Sequence, residues 1–420
     1  MYVPGAPGAA GIDRGLEESP DCYAPSGFEL RSDRNIFGFD PNWIIEPIRS
    51  ENRIPTDTAR AFVDAIEKGE TERERKDSQL AILRGLVTFQ SLSETGARNR
   101  MTKETKVNMS TNTAAALQEW EVKEPYIKLH CALGEGPYYE KATNSLRFVD
   151  IIKKRVHTVD LSKGPESLTT LEFDTPIGVT ADIEGVDPHE SILIGAKHGI
   201  AVLHRKTGKY EYITKFFAEE NVRIRGNDGA IDPHGRFWLG SMTDFGQGPV
   251  QPEDVVGALW LFHSKKPSQS MKGPVSIPNS VSWSPDNKVM YFTHSSSRVI
   301  HAFDYASEDG SISNERVFFT YEGQGEPDGH RIDVEGNMWC AVYGDSVVLK
   351  ISPEGKLIGK IHMPTKSITC VEFVGTELFI TTAGLEEGQG TPEQVDLSGA
   401  LFRIDVGVKG LEPYLFKLAA

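Results

Sequence analysis

One grammar repeats about every fifty residues from near Leu133 to the C-terminus: an inner segment, a turn, an apolar strand, a polar break and a second apolar strand. It can be followed at residues 140–160, 183–204, 232–262, 284–304, 333–351 and 374–405, about six copies. A unit this short cannot bury its own apolar faces. Set radially, such small antiparallel sheets cover one another and bring one strand of each to a common axis. The expected fold is therefore all-β, a six-bladed β-propeller over residues 119–420. Residues 126–130 are expected to add a strand to the last blade and so close the ring, and residues 411–416 to end the chain as an outer strand.

Residues 1–118 have a different texture and form an N-terminal extension. Residues 1–38 are rich in Gly, Pro, Ser and charge, a composition that predicts disorder. Ala59, Phe62, Val63 and Ile66, then Leu80, Leu83 and Val87, recur at helical spacing and predict one or two short helices within 55–92. Their apolar face suits docking, but nothing identifies a protein partner.

The net charge of −15 argues against nucleic acid as a partner, since phosphate contacts need a basic surface. The four cysteines, Cys22, Cys131, Cys340 and Cys370, lack the close pairing of a zinc site or a disulfide framework. Cys340 and Cys370 lie in apolar runs and are expected to pack as small hydrophobes. No apolar run approaches membrane-spanning length and no signal-peptide core is seen, which predicts a cytoplasmic protein without a membrane partner. Neither a Walker-type phosphate loop nor a G-x-S-x-G elbow occurs.

Aligned on their turns, the repeats carry oxygen-bearing side chains at equivalent upstream points. These are Glu135 in Gly134-Glu135-Gly136-Pro137, Asn227 and Asp228 before Gly229, Asn279 in Pro278-Asn279-Ser280, and Asp328 in Pro327-Asp328-Gly329. The other two copies read Pro176-Ile177-Gly178 and Ser367-Ile368-Thr369. Buried carboxylates are costly unless paired or bound to a cation. A ring of oxygens without His or Cys suits a hard divalent ion such as Ca²⁺ or Mg²⁺. Asn, Asp and Gly also make ordinary turns, as Asp286-Asn287 does at a hairpin tip, but Glu135 is not a turn former.

From Leu133 to Phe402 the chain resembles the SMP-30/gluconolactonase/LRE-like family, also called regucalcin-like. Gly134-Glu135-Gly136-Pro137 is similar to its opening E-G-P motif. Arg225-Gly226-Asn227-Asp228-Gly229, followed by Asp232-Pro233-His234-Gly235-Arg236-Phe237-Trp238-Leu239-Gly240-Ser241-Met242, is similar to its R-x-N-D-G…D-P-x-G-R-x-W-x-G-[ST]-M signature. Asn279 through Asp286 and Pro327 through Trp339 resemble two further elements, and the four occur in order at blade spacing.

The resemblance implies one divalent cation on the axis, with Ca²⁺ foremost and Zn²⁺, Mg²⁺ or Mn²⁺ compatible. It implies ligation by Glu135, Asn279 and Asp328, and contacts from Arg225 and Asn227 to substrate hydroxyls. The expected function is opening of a sugar lactone, such as gluconolactone or a pentonolactone, to its acid. The cation would act as Lewis acid while a carboxylate activates water. Asp328 is the first choice for that base and Asp228 the second. A related esterase or phosphotriesterase-like hydrolase and a non-catalytic calcium-binding propeller are the alternatives.

Two departures from the family pattern stand out. His294 occupies a strand end where the family has Asp, and His330 follows Pro327-Asp328-Gly329 where the family has an apolar residue. Either imidazole, if near the cation, would alter the local charge; an orienting or core role is the simpler expectation. Thr243-Asp244-Phe245 also lacks a Glu that helps bind sugar in some relatives.

Overall fold

The structure, a computed structural model, describes residues 117–218, 220–248 and 257–418. The extension with its expected helices therefore lies almost wholly outside the described residues.

Six sheets follow one another along the chain, each starting with an inner strand and running outward. The inner strands are Gly134–Glu140, Ile177–Ala181, Ile224–Ile231, Pro278–Trp283, Glu326–Ile332 and Ile368–Val374. Each packs beside the next, and the sixth packs beside the first, so the ring closes. Closure is reinforced from the N-terminal side. Tyr126 and Ile127 donate to Leu401 O at 2.8 and 3.0 Å, covering the edge of the otherwise three-stranded sixth blade. The expected closing strand is thus a short bridge. An additional strand, Gln118–Glu121, pairs in parallel with Leu357–His362 at the outside of the fifth blade.

The apolar strands form six cores, each sandwiched between neighbouring blades. Successive side chains of a strand point to opposite faces. Met338, Cys340 and Val342 therefore pack against the fourth blade, while Trp339 and Ala341 pack against the sixth. This two-sided burial is why the second strands read as unbroken apolar runs. Cys340 and Cys370 are buried thiols, as expected.

The recurring tryptophans are held by recurring acids. Trp238 Nε1 donates to Asp232 Oδ2 at 3.1 Å and Trp339 Nε1 to Asp333 Oδ2 at 2.9 Å, tying the turn after each inner strand to the second strand.

Residues 411–416 do not form an outer strand. Leu411 N donates to Ile332 O in the fifth blade, and Phe416 N donates to Asp182 O in the second. The tail crosses the lower end of the ring between these opposite blades. Phe416, fully buried, fills the core between the second and third blades, and Tyr414 Oη donates to Asn287 Oδ1 of the fourth at 2.7 Å. Burial of this tail on the axis outweighs the weaker gain of pairing at an outer edge. No helix among the described residues is long and apolar enough to cross a membrane.

Candidate functional site

All six inner strands slip register against their second strands near the start of the pairing: between Glu135 and Tyr138, Ile177 and Val179, Gly226 and Gly229, Pro278 and Val281, Pro327 and His330, and Ile368 and Cys370. A bulge frees a residue from the ladder and re-aims its side chain. Glu135, Asn227, Asp228, Asn279 and Asp328 all stand at these slips. Glycine makes the crowding possible. Gly136 adopts φ 49°, a left-handed conformation costly for other residues. A Cβ on Gly178 would collide with the Asn227 carbonyl of the next inner strand.

Glu135, Arg225, Asn227, Asp228, Asn279 and Asp328 are all buried, none more than 7% exposed. Burial, reinforced by the Asp228 charge, pushes the Glu135 carboxyl up to about 8. Burial followed by the Glu135 and Asp228 charges holds Asp328 well above the usual carboxylate range. Three acids from three blades therefore feel one another across the axis.

Their hydrogen bonds differ. Asp228 has both oxygens engaged: Gly229 N donates to Oδ1 at 2.7 Å and Ser280 Oγ to Oδ2 at 2.5 Å. Glu135 Oε2 accepts from Gly136 N at 2.9 Å. Asp328 Oδ1 is buried and receives no hydrogen bond among the described residues. Arg225 Nη1 donates to Asn227 Oδ1 at 2.7 Å, and Asn227 Nδ2 donates to Pro278 O at 2.9 Å. Asn279 Nδ2 donates to Ser295 Oγ at 2.9 Å, leaving its Oδ1 only a long 3.4 Å contact from Asn227.

Among the described residues no three His, Cys, Asp or Glu side chains are grouped to hold a metal ion. Glu135, Asn279 and Asp328 offer two carboxylates and an amide oxygen at the inner strand starts. The orphaned Asp328 oxygen and the mutual repulsion of the acids are what a hard cation relieves, so the residues fit such an ion.

The two histidines part company. His330 is fully buried, with Nε2 2.8 Å from Ser282 Oγ and Nδ1 2.9 Å from Thr293 Oγ1, while its backbone N–H donates to Ser280 Oγ at 3.0 Å. It braces the serine that holds Asp228. His294 accepts from Ser276 N at 3.2 Å, and its charged neighbours are His301, Lys272 and Glu315, on outer strands of the third and fourth blades. Its ring faces the gap between those blades, away from the acids. Ser280 and Ser295 were not singled out by sequence reasoning. A serine beside an Asn carries no signal until its acceptor is known.

Burial lowers His330 from 6.5 to about 3. The unfolded chain takes up that proton near pH 6.5, while the folded chain resists it down to about pH 3. Stability is therefore lost as pH falls through this window, by up to about 1.4 kcal/mol per pH unit. His330→Gln is expected to show a shallower decline than wild type in urea melts between about pH 6.5 and 4. Parallel declines would mean that His330 carries no such linkage.

The sequence over residues 133–384 matches the model of the SMP-30/Gluconolactonase/LRE-like region. Bovine (Bos taurus) regucalcin is 32% identical over 317 residues, covering 69% of this chain and 97% of its own. A pentonolactonase of Haloferax volcanii is 30% identical, covering 67% of this chain and 93% of its own. Among solved structures, a luciferin-regenerating enzyme superposes with a TM-score of 0.62 at 31% identity, covering 68% of this chain and 96% of its own.

Proposed function

Because this chain belongs to the SMP-30/Gluconolactonase/LRE-like family, we propose that it is a hydrolase that opens a sugar lactone to the sugar acid. In this reading a divalent cation is held by Glu135, Asn279 and Asp328. One observation carries it: buried acids from separate blades converge, and one of their oxygens has no donor. The relative named a pentonolactonase supports the substrate class.

When bound, the cation supplies Lewis acidity that polarises the lactone carbonyl and eases ionisation of water. The remaining work falls to side chains. Arg225, braced by Asn227, donates to substrate hydroxyls, and Asn227 adds a polar contact beside it. Asp328 has an oxygen free of protein donors and, held ionised by the charge of a bound cation despite its raised pKa, would take the proton of the attacking water; Asp228, with both oxygens engaged, is less suited. Water adds to the carbonyl carbon, the ring C–O bond breaks, and the ring oxygen leaves as a hydroxyl after taking a proton.

The test is acid release after chelation and re-addition of Ca²⁺, Zn²⁺, Mg²⁺ or Mn²⁺, with D-glucono-1,5-lactone, a pentonolactone and an aryl ester as substrates. Lactone turnover lost on chelation and restored by an ion is expected. Cation binding without turnover of any lactone would refute the reading. The aryl ester is included because Phe245, 48% exposed, follows the second strand of the third blade on the face where the acids sit, and would favour an apolar substituent.

A further inference from the structure

We propose that the buried ion pair of Lys197 and Asp244 positions Arg225, and that it sets the affinity for a polyhydroxylated substrate rather than the rate of ring opening. This rests on the lactone reading above. Lys197 Nζ lies 2.7 Å from Asp244 Oδ2, with side chains only 11% and 8% exposed. The pair joins two blades. Lys197 follows strand Ser191–Ala196 of the second blade, and Asp244 follows Phe237–Thr243 of the third.

Both residues are also fastened to the Arg225 strand. Gly226 N donates to Lys197 O at 2.9 Å, and Asp244 N donates to Arg223 O at 2.7 Å. In the ladder Ile224 opposes Thr243 and Arg225 opposes Met242. Asp244 thus shares a sheet face with Arg225 and stands diagonally to it, a separation that long side chains span. Burial disfavours the charged Arg225 guanidinium, and Asp244 is the strongest charge opposing that effect, ahead of Glu135.

The other Asp244 oxygen, Oδ1, accepts from Gly246 N at 3.2 Å. With both oxygens occupied, Asp244 attracts Arg225 without capturing it, and the guanidinium remains on Asn227. Removing the lysine frees one oxygen, and Arg225 swings toward Asp244 and off the substrate side. Removing the acid leaves Arg225 unsteered. In either case binding suffers before chemistry does, because neither residue touches the reacting atoms.

The experiment compares Lys197→Met, Asp244→Asn, Arg225→Gln and the two double variants containing Arg225→Gln. Thermal melts check folding and calorimetry checks cation affinity. Each of the first two is expected to raise KM about tenfold with kcat within about threefold, and to add little in the Arg225→Gln background. Cation affinity stays at the wild-type value. An unchanged KM in a folded variant, or effects that multiply with Arg225→Gln, overturns the proposal. Should the wild type open no lactone, the function reading fails by itself. The pair is then read by NMR titration with D-glucitol: weaker binding in both single variants supports it, and unchanged binding overturns it.

Discussion

Asp328→Ala is expected to lower kcat/KM for the lactone by about a thousandfold or more and to weaken cation binding in the same protein. The size follows from losing two things at once, a charged ligand and the proposed proton acceptor; each 1.36 kcal/mol of lost transition-state stabilisation is about tenfold. Calorimetry and acid release read the two losses separately. Asp328→Asn keeps an oxygen for the cation but cannot take a proton, so it should lose turnover more than affinity. Asp228→Asn keeps an acceptor for Ser280 Oγ and is expected to cost far less, about tenfold. If Asp228→Asn is as damaging as Asp328→Asn, the base is Asp228. If Asp328→Ala leaves both cation binding and turnover intact, the axial site does not act in the reaction.

The pH dependence of cation binding gives an independent reading. Without a cation, burial and mutual repulsion raise both Glu135, to about 8, and Asp328, so the two together hold a proton at pH 7. A cation must displace that proton. Affinity should rise from pH 6 to pH 8, and binding near pH 7 should release protons, seen as a buffer-dependent calorimetric enthalpy. Glu135→Gln is expected to shrink both effects, and Asp328→Asn to shrink what remains.

The second large effect is on stability. Asp232→Ala should destabilise the protein by about 3–5 kcal/mol, because it strips the partner from a buried guanidinium and leaves other donors unsatisfied. Asp232 is fully buried. Its Oδ2 accepts from Arg236 Nε at 2.6 Å, Tyr305 Oη at 2.9 Å and Trp238 Nε1 at 3.1 Å, and its Oδ1 accepts from His234 N and Arg236 N. Asp333 occupies the equivalent place in the fifth blade, but its side-chain partners are Asn337 and Trp339, with no guanidinium. Asp333→Ala should therefore cost less, about 2–3 kcal/mol. Urea melts of both variants give the order. Equal losses would mean that the Arg236 charge adds nothing.

Much of this protein was legible along the chain. The spacing of Asp232–Trp238 and Asp333–Trp339 marked a repeated turn, and the two indole–carboxylate bonds explain why the spacing recurs. Reading the tail failed for a physical reason. Residues 411–416 have the composition of an edge strand, and an edge and an axial plug are both places where apolar side chains find cover. The sequence left the place of His294 open between an orienting and a core role, because adjacency in a strand says nothing about the face a side chain takes. His294 opposes Pro278, one residue before Asn279, yet turns toward the neighbouring blade.

Lys197 and Asp244 were legible only as ordinary charges. Their pairing depends on two hairpins 47 residues apart that meet over Arg225. The amino-acid sequence by itself determined the repeat, the ring it must close and the side chains offered at the inner strand starts, because apolar periodicity and turn chemistry are local properties. Only the tertiary structure decided which acid oxygen is left without a donor and which ion pair stands beside the arginine. Those outcomes depend on register slips and on contacts between blades, and neither is encoded in any single stretch of chain.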